Sequence, residues 1–150
     1  MIYKAMKIGF KNSMRLPVAS QQCEIEVSLG ISDTAVGGIR IAAGHDHYLE
    51  LGYDAKKKVL YIDRSKTANH SFNKNFEKMS RYEIPYTLNR NILKLQIFFD
   101  NSIAEIFVND GERVFTAQLF PDEKDNGIEL FSGGSAGFAY CYVYEMKSVW

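Results

Sequence analysis

The feature that most constrains this chain is a two-residue alternation of apolar and polar side chains that recurs from end to end. Leu93, Leu95, Ile97 and Phe99 share one face with Lys94 and Gln96 opposite, and Ile25, Val27 and Leu29 alternate with Glu24, Glu26 and Ser28. That period places successive side chains on opposite faces of a pleated strand. No window of about eleven residues sustains apolar positions at helical spacing, so an all-β chain is expected. Further strands are predicted over Gly37 to Ala43, His47 to Tyr53, Val59 to Asp63, Ile103 to Val108 and Arg113 to Leu119. Asn109-Asp110-Gly111 separates the last two, with Asp-Gly supplying the positive φ angles of a tight hairpin. A final strand from Phe138 to Met146 puts Phe138, Tyr140, Tyr142, Tyr144 and Met146 on one face, with Ala139, Cys141 and Val143 on the other. Both faces read as covered, although a surplus aromatic face also suits a docked partner.

About eleven short strands, with no repeat period and no low-complexity linker, predict a two-sheet antiparallel β-sandwich of jelly-roll, concanavalin A-like type. The 150 residues suit one domain spanning the chain. Two tracts read as connections. Ser65 to Arg81 is a long loop pinned by Phe72, Phe76 and Met79, with a short helical turn expected; Gly133 to Gly137 is expected to be a hairpin connection.

Charge narrows the function. Eighteen basic and eighteen acidic residues leave a net charge of zero, which argues against nucleic-acid partners. The run Lys56-Lys57-Lys58 reads as a solvated turn. No apolar stretch approaches the ~18 residues of a membrane span, and no signal-peptide core opens the chain. A cytoplasmic location and no membrane partner are therefore expected. Cys23 and Cys141 fall on an early and a late strand, either as two buried free thiols, the plainer reading, or as a pair across neighbouring strands.

Chemistry-bearing clusters are sparse. His45-Asp46-His47 offers two imidazoles at a strand end without a spaced third ligand, so no metal is expected. Asp63, Asp100 and Glu105 are the candidate carboxylates for glycosidase chemistry, but ion pairing and turn capping account for Asp63 and Asp100. No Ser or Cys nucleophile sits in an elbow motif, and the glycine tract lacks the Lys-Ser/Thr and helix of a phosphate loop. Asn69-His70-Ser71 matches a glycosylation acceptor, a tripeptide common by chance. No cofactor is expected.

From Leu49 onward the chain resembles a known module. Asp63-Arg64-Ser65, then Asp100, Ser102, Glu105, Phe107, Asn109 and Gly111, then Thr116, Phe120 and Pro121 follow the ordered motifs of the C-terminal β-sandwich of glycoside hydrolase family 32. That family comprises invertases, sucrose-6-phosphate hydrolases, inulinases and levanases. The resemblance implies that catalysis belongs to a separate five-bladed β-propeller, whose Asn-Asp-Pro-Asn, Arg-Asp-Pro and Glu-Cys motifs are absent here. It implies that this chain carries no catalytic residue and packs on that propeller in cis. An isolated module would expose the flank the propeller covers and so self-associate. Phe107 is expected in the core and Asp110-Gly111 at the centre of the hairpin. The alternative is an autonomous carbohydrate-binding module that stacks sugars on Tyr48, Tyr53 and Tyr86.

Overall fold

A computed structural model describes residues 3–67 and 81–146, with backbone alone for 3–12 and 133–139. The expected pinning by Phe72, Phe76 and Met79, the tripeptide at Asn69 and the last four residues lie outside the described residues.

Ten strands make up the described structure: β1 (Tyr3–Ala19), β2 (Gln22–Gly30), β3 (Val36–Ala43), β4 (Leu49–Asp54), β5 (Val59–Asp63), β6 (Arg81–Pro85), β7 (Ile92–Asp100), β8 (Ile103–Val108), β9 (Arg113–Gln118) and β10 (Gly127–Glu145). All neighbours are antiparallel, in the order β6-β5-β4-β3-β10-β2-β7-β8-β9, with β1 on β10. The ribbon divides at β10. Residues Gly127 to Ser132 pair with β3, whereas Phe138 to Glu145 pair with β2. One antiparallel layer is therefore β6-β5-β4-β3 with the first part of β10, and the other is β9-β8-β7-β2 with the last part. Together they form the expected β-sandwich.

Alternation chose the strands, and burial follows it. Ile25, Val27, Leu29, Leu93, Leu95, Ile97, Phe99 and Ile106 from one layer join Ile39, Ile41, Leu49, Leu51, Leu60 and Ile62 from the other in one apolar core. Fully burying a side chain of this size stabilises by about 1.5–3 kcal/mol. At the free edges the layers meet: Tyr82 of β6 packs edge-on against Phe115 of β9 at 6.1 Å, and the Arg64 guanidinium donates to the Gln118 carbonyl at 3.2 Å.

Two expectations are corrected and one further strand is found. The glycine tract Gly133 to Gly137 is no hairpin; β10 runs through it, with a register shift between its pairings to Asn12 and Lys11. Glycine lets one strand bend sharply enough to leave one layer and enter the other, which a turn-counting scan mistakes for a reversal. Long β1 was unforeseen because Pro17 interrupts its pattern, yet proline is tolerated on an edge strand. Phe107 is half-buried on the outer face, because Ala104, Ile106 and Val108 take the inward positions of β8.

The β8–β9 turn is also shifted by one residue. Asn109 (φ 47°) and Asp110 (φ 62°) are its left-handed centre, closed by the Gly111 N–H donating to the Val108 carbonyl at 3.1 Å, and Gly111 follows at φ 93°. Asn and Asp tolerate that conformation better than other non-glycine residues. Cys23 and Cys141 are buried and free. Cys141 faces Val27 across β2, four positions from Cys23, or about 13 Å along a strand, beyond disulfide reach.

Candidate functional site

The outer face of the β3–β6 layer carries a row of charges. Strand register aligns Arg15, Glu129, Arg40, Glu50, Asp63 and Arg81 side by side across β1, β10, β3, β4, β5 and β6. Arg40 is the hub. Its Nε donates to Glu50 at 2.8 Å and its Nη1 to Glu129 at 2.7 Å, while its guanidinium lies 4.7 Å from the Tyr48 ring centre and 4.6 Å from that of Phe131. The Tyr61 hydroxyl donates to Glu50 Oε2 at 2.7 Å, and Arg81 covers the Tyr61 ring at 4.1 Å. Gly52 makes room for that ring, since a Cβ there would fall 2.5 Å from the Tyr61 oxygen. Burial and the Glu50 carboxylate both raise the Tyr61 phenol above its ordinary range.

The structure does not bring Asp63, Asp100 and Glu105 together. Asp63 accepts from the Ser65 N–H at 2.8 Å and from Arg81 at 3.0 Å. Burial pushes its carboxyl up, but donation from Ser65 and Arg81 outweighs this and holds it below the usual range. Asp100 lies on the opposite layer, accepting from Gln22 at 3.2 Å and from Asn101 at 3.3 Å. Glu105 points outward from β8 opposite Phe98 and Thr116. Asp63 is thus separated from Asp100 and Glu105 by the sandwich core, about 10 Å between sheets.

Of the other motif residues, Ser102, Asn109 and Gly111 lie at turns. The Ser102 carbonyl accepts from Leu119 N–H at 2.8 Å, tying the β7–β8 turn to the chain leaving β9 towards half-buried Phe120 and Pro121. Asn109 Oδ1 accepts the Lys94 N–H at 2.9 Å, and its Nδ2 donates to the Tyr86 hydroxyl at 2.8 Å.

The three tyrosines do not share one exposed face. Tyr53 is 3% exposed and faces the core, where its hydroxyl donates to the Tyr86 carbonyl at 2.7 Å. Its place follows from β4 alternation, which sends Leu49, Leu51 and Tyr53 inward. Tyr86 lies against the β8–β9 turn, bonded to Glu112 and overlain by Arg113, whereas Tyr48 stands beside Arg40 at the far end of β4.

His45 is 97% exposed, its Nε2 3.9 Å from Asp46 Oδ1. His47 Nδ1 lies 3.0 Å from Asp125 Oδ2 and 3.9 Å from Asp122 Oδ2. Asp125 Oδ2 also accepts the Asp122 N–H at 3.0 Å, and Gln21 Nε2 donates to the Asp122 and Asp125 carbonyls at 2.8 and 2.9 Å. The cluster clasps two loops together. Its three ligand atoms lie within 4.8 Å, the reach of one cation, although Asp122 and Asp125 are too far from His47 in sequence for a spacing motif to link them.

A groove of about 360 Å³ opens on the outer face of the other layer, lined by Glu26, Ser28, Lys94, Gln96, Phe107, Asp110, Tyr140 and Tyr142 among others. Phe107 is braced edge-on by Phe98, ring centres 5.9 Å apart at 90°. Lys94 Nζ bonds Asp110 at 2.7 Å, and Gln96 Nε2 donates to Glu24 at 3.2 Å. Burial, then hydrogen bonding and repulsion from Glu24, raise the Glu26 carboxyl against the opposing charge of Lys94. The aromatic face of the last strand was the one signal in the sequence for this groove; Glu26 and Gln96 looked like ordinary solvated positions.

Against known proteins, residues 4–145 match the family described as glycosyl hydrolases family 32 C terminal. The chain belongs to this family. It is 32% identical over 128 residues to a levanase of Bacillus subtilis (strain 168), covering 85% of this chain and 18% of that protein. It is 31% identical over 117 residues to a sucrose-6-phosphate hydrolase of Streptococcus mutans, covering 77% and 23%. The crystal structure of exo-inulinase from Aspergillus awamori superposes with a TM-score of 0.84 at 26% identity, over 99% of this chain and 30% of that one. The chain therefore spans less than a third of the length of these relatives. Within such multidomain enzymes the family 32 C-terminal domain accompanies a catalytic domain in the same chain.

Proposed function

We propose that this domain is the non-catalytic C-terminal support of an enzyme that removes terminal fructosyl units from fructans or sucrose-type saccharides. The relatives named for levan, inulin and sucrose-6-phosphate support the fructosyl substrate class. The observation that carries the non-catalytic part is the separation of the carboxylates: Asp63 is engaged by Arg81 and Ser65 on one outer face, while Asp100 and Glu105 stand on the other. A retaining glycosidase needs two carboxyls about 5–5.5 Å apart on one cleft, in opposite protonation states.

The partner is a catalytic β-propeller, walled and stabilised along its flank by this sandwich. Mixing the domain with a separately produced family 32 propeller tests the partnership. Co-elution and a higher unfolding temperature of the propeller are expected; independent elution with unchanged unfolding would contradict it.

A further inference from the structure

The groove opens on the outer face of β2, β7, β8 and β10, away from the core that the two layers share. Its floor is one cross-strand row, Tyr142, Glu26, Gln96 and Phe107, with a residue from each of four neighbouring strands. Alongside runs a second row, Tyr140, Ser28 and Lys94. Asp110, from the left-handed turn, completes the lining at one end. That end is rigid: Asn109 exchanges backbone and side-chain hydrogen bonds with Lys94 at 2.8 and 2.9 Å. The volume falls within the roughly 300–1,000 Å³ of small-molecule sites.

The lining selects a chemical class. Glu26 and Asp110 outnumber Lys94, with Glu24 beside them, so a phosphate or other polyanion is repelled. An apolar protein surface would bury Glu26 and Gln96 without enough hydrogen-bond partners, at a desolvation cost. A neutral polyol meets both demands. Its hydroxyls donate to the Glu26 carboxylate and accept from Lys94 and Gln96, while its C–H faces cover the Tyr140, Tyr142 and Phe107 rings. Aromatic rings offer such contact area at small conformational-entropy cost.

The geometry points to a saccharide-binding site in this groove, with a short fructosyl chain as its occupant. Saccharide as a class follows from the lining; the fructosyl identity rests on the function proposed above. The site anchors the polymer beside a catalytic domain and lies away from Tyr48, Tyr53 and Tyr86.

Calorimetric titration of the 150-residue chain with inulin-type and levan-type oligosaccharides tests this, with cello-oligosaccharide as the comparison sugar. Saturable heat is expected with the fructosyl sugars, with affinity reduced on the order of tenfold in Tyr142→Ala and Phe107→Ala. Glu26→Gln, which keeps shape and removes the charged acceptor, is expected to weaken binding with unchanged thermal unfolding. Tyr48→Ala, on the opposite layer, should bind as the parent does. No saturable heat from the folded chain, or binding untouched by the groove substitutions, would overturn the site. Equal binding of cello-oligosaccharide would overturn the fructosyl assignment. Fructose release by the domain would count against the proposed function and leave the binding result standing.

Discussion

Arg40→Met removes the hub of the charge row while keeping an unbranched apolar stem. Glu50 and Glu129 are only 15% and 18% exposed, and Arg40 is 26% exposed, so the pairings are neither fully buried nor solvent-screened. Removing one partner of a fully buried pair costs about 3–5 kcal/mol, and an exposed pair is worth about 0–1 kcal/mol. The half-buried geometry falls between. Glu129 retains Arg15 at 3.6 Å and Glu50 retains the Tyr61 hydroxyl, which softens the loss. The stacking of Arg40 on Tyr48 and Phe131 adds roughly 0.5–1 kcal/mol per ring. Together these give a destabilisation of about 2–3 kcal/mol, or a lowering of Tm by about 5–10 °C at this chain length. Thermal and urea unfolding followed by circular dichroism measure it. Adding Glu129→Gln should recover part of the deficit, because it removes the carboxylate left facing a lost cation. A single mutant within about 0.5 kcal/mol of the parent, or no coupling in the double mutant, would refute this account of the row.

Other substitutions test separate elements. Gly111→Val meets no atom within 4 Å but forces a β-branched residue to φ 93°, so it should cost about 1–3 kcal/mol in urea unfolding; a neutral result would contradict the left-handed turn. Asp63 has its folded pKa below the unfolded value, so its contribution is present above the ordinary carboxylate pKa and fades as pH falls through the folded one. Asp63→Asn should flatten the acid limb of the stability profile, and an unchanged limb would count against the Arg81 and Ser65 contacts. Burial lifts the Cys23 thiol to about 11, despite a hydrogen bond from Ser20, and Cys141 to about 12. Neither should react with a thiol reagent at pH 8 until the domain unfolds, and rapid labelling of the native chain would contradict their burial.

The alternation made the layers legible because each of β2, β3, β4, β5, β7, β8 and β9 has a face that must enter the core. It failed where a strand belongs to both layers. β10 bends through glycines that serve as turn residues in most contexts, and β1 carries Pro17 on an edge where no ladder donor is needed. Phe107 shows the same limit at one residue, since hydrophobicity suggested core while the phase of Ala104, Ile106 and Val108 dictated the outside. The charge row was hidden for another reason. Glu129 is distant in sequence from Arg40 and Glu50, and all three look like any solvated strand residues until register aligns them. The ordered motifs around Asp63, Asp100 and Asn109 carried the family resemblance; Asp63 accepts the Ser65 N–H in one turn, and Asn109 sits in the left-handed centre of another.

The most direct test of the central claim is a fructose-release assay on the purified 150-residue chain with sucrose, inulin and levan. The account predicts no release above the uncatalysed background, at any pH from acid to neutral. Saturable release that disappears in Asp63→Asn, Asp100→Asn or Glu105→Gln would show that the domain carries catalytic machinery of its own and would contradict the account.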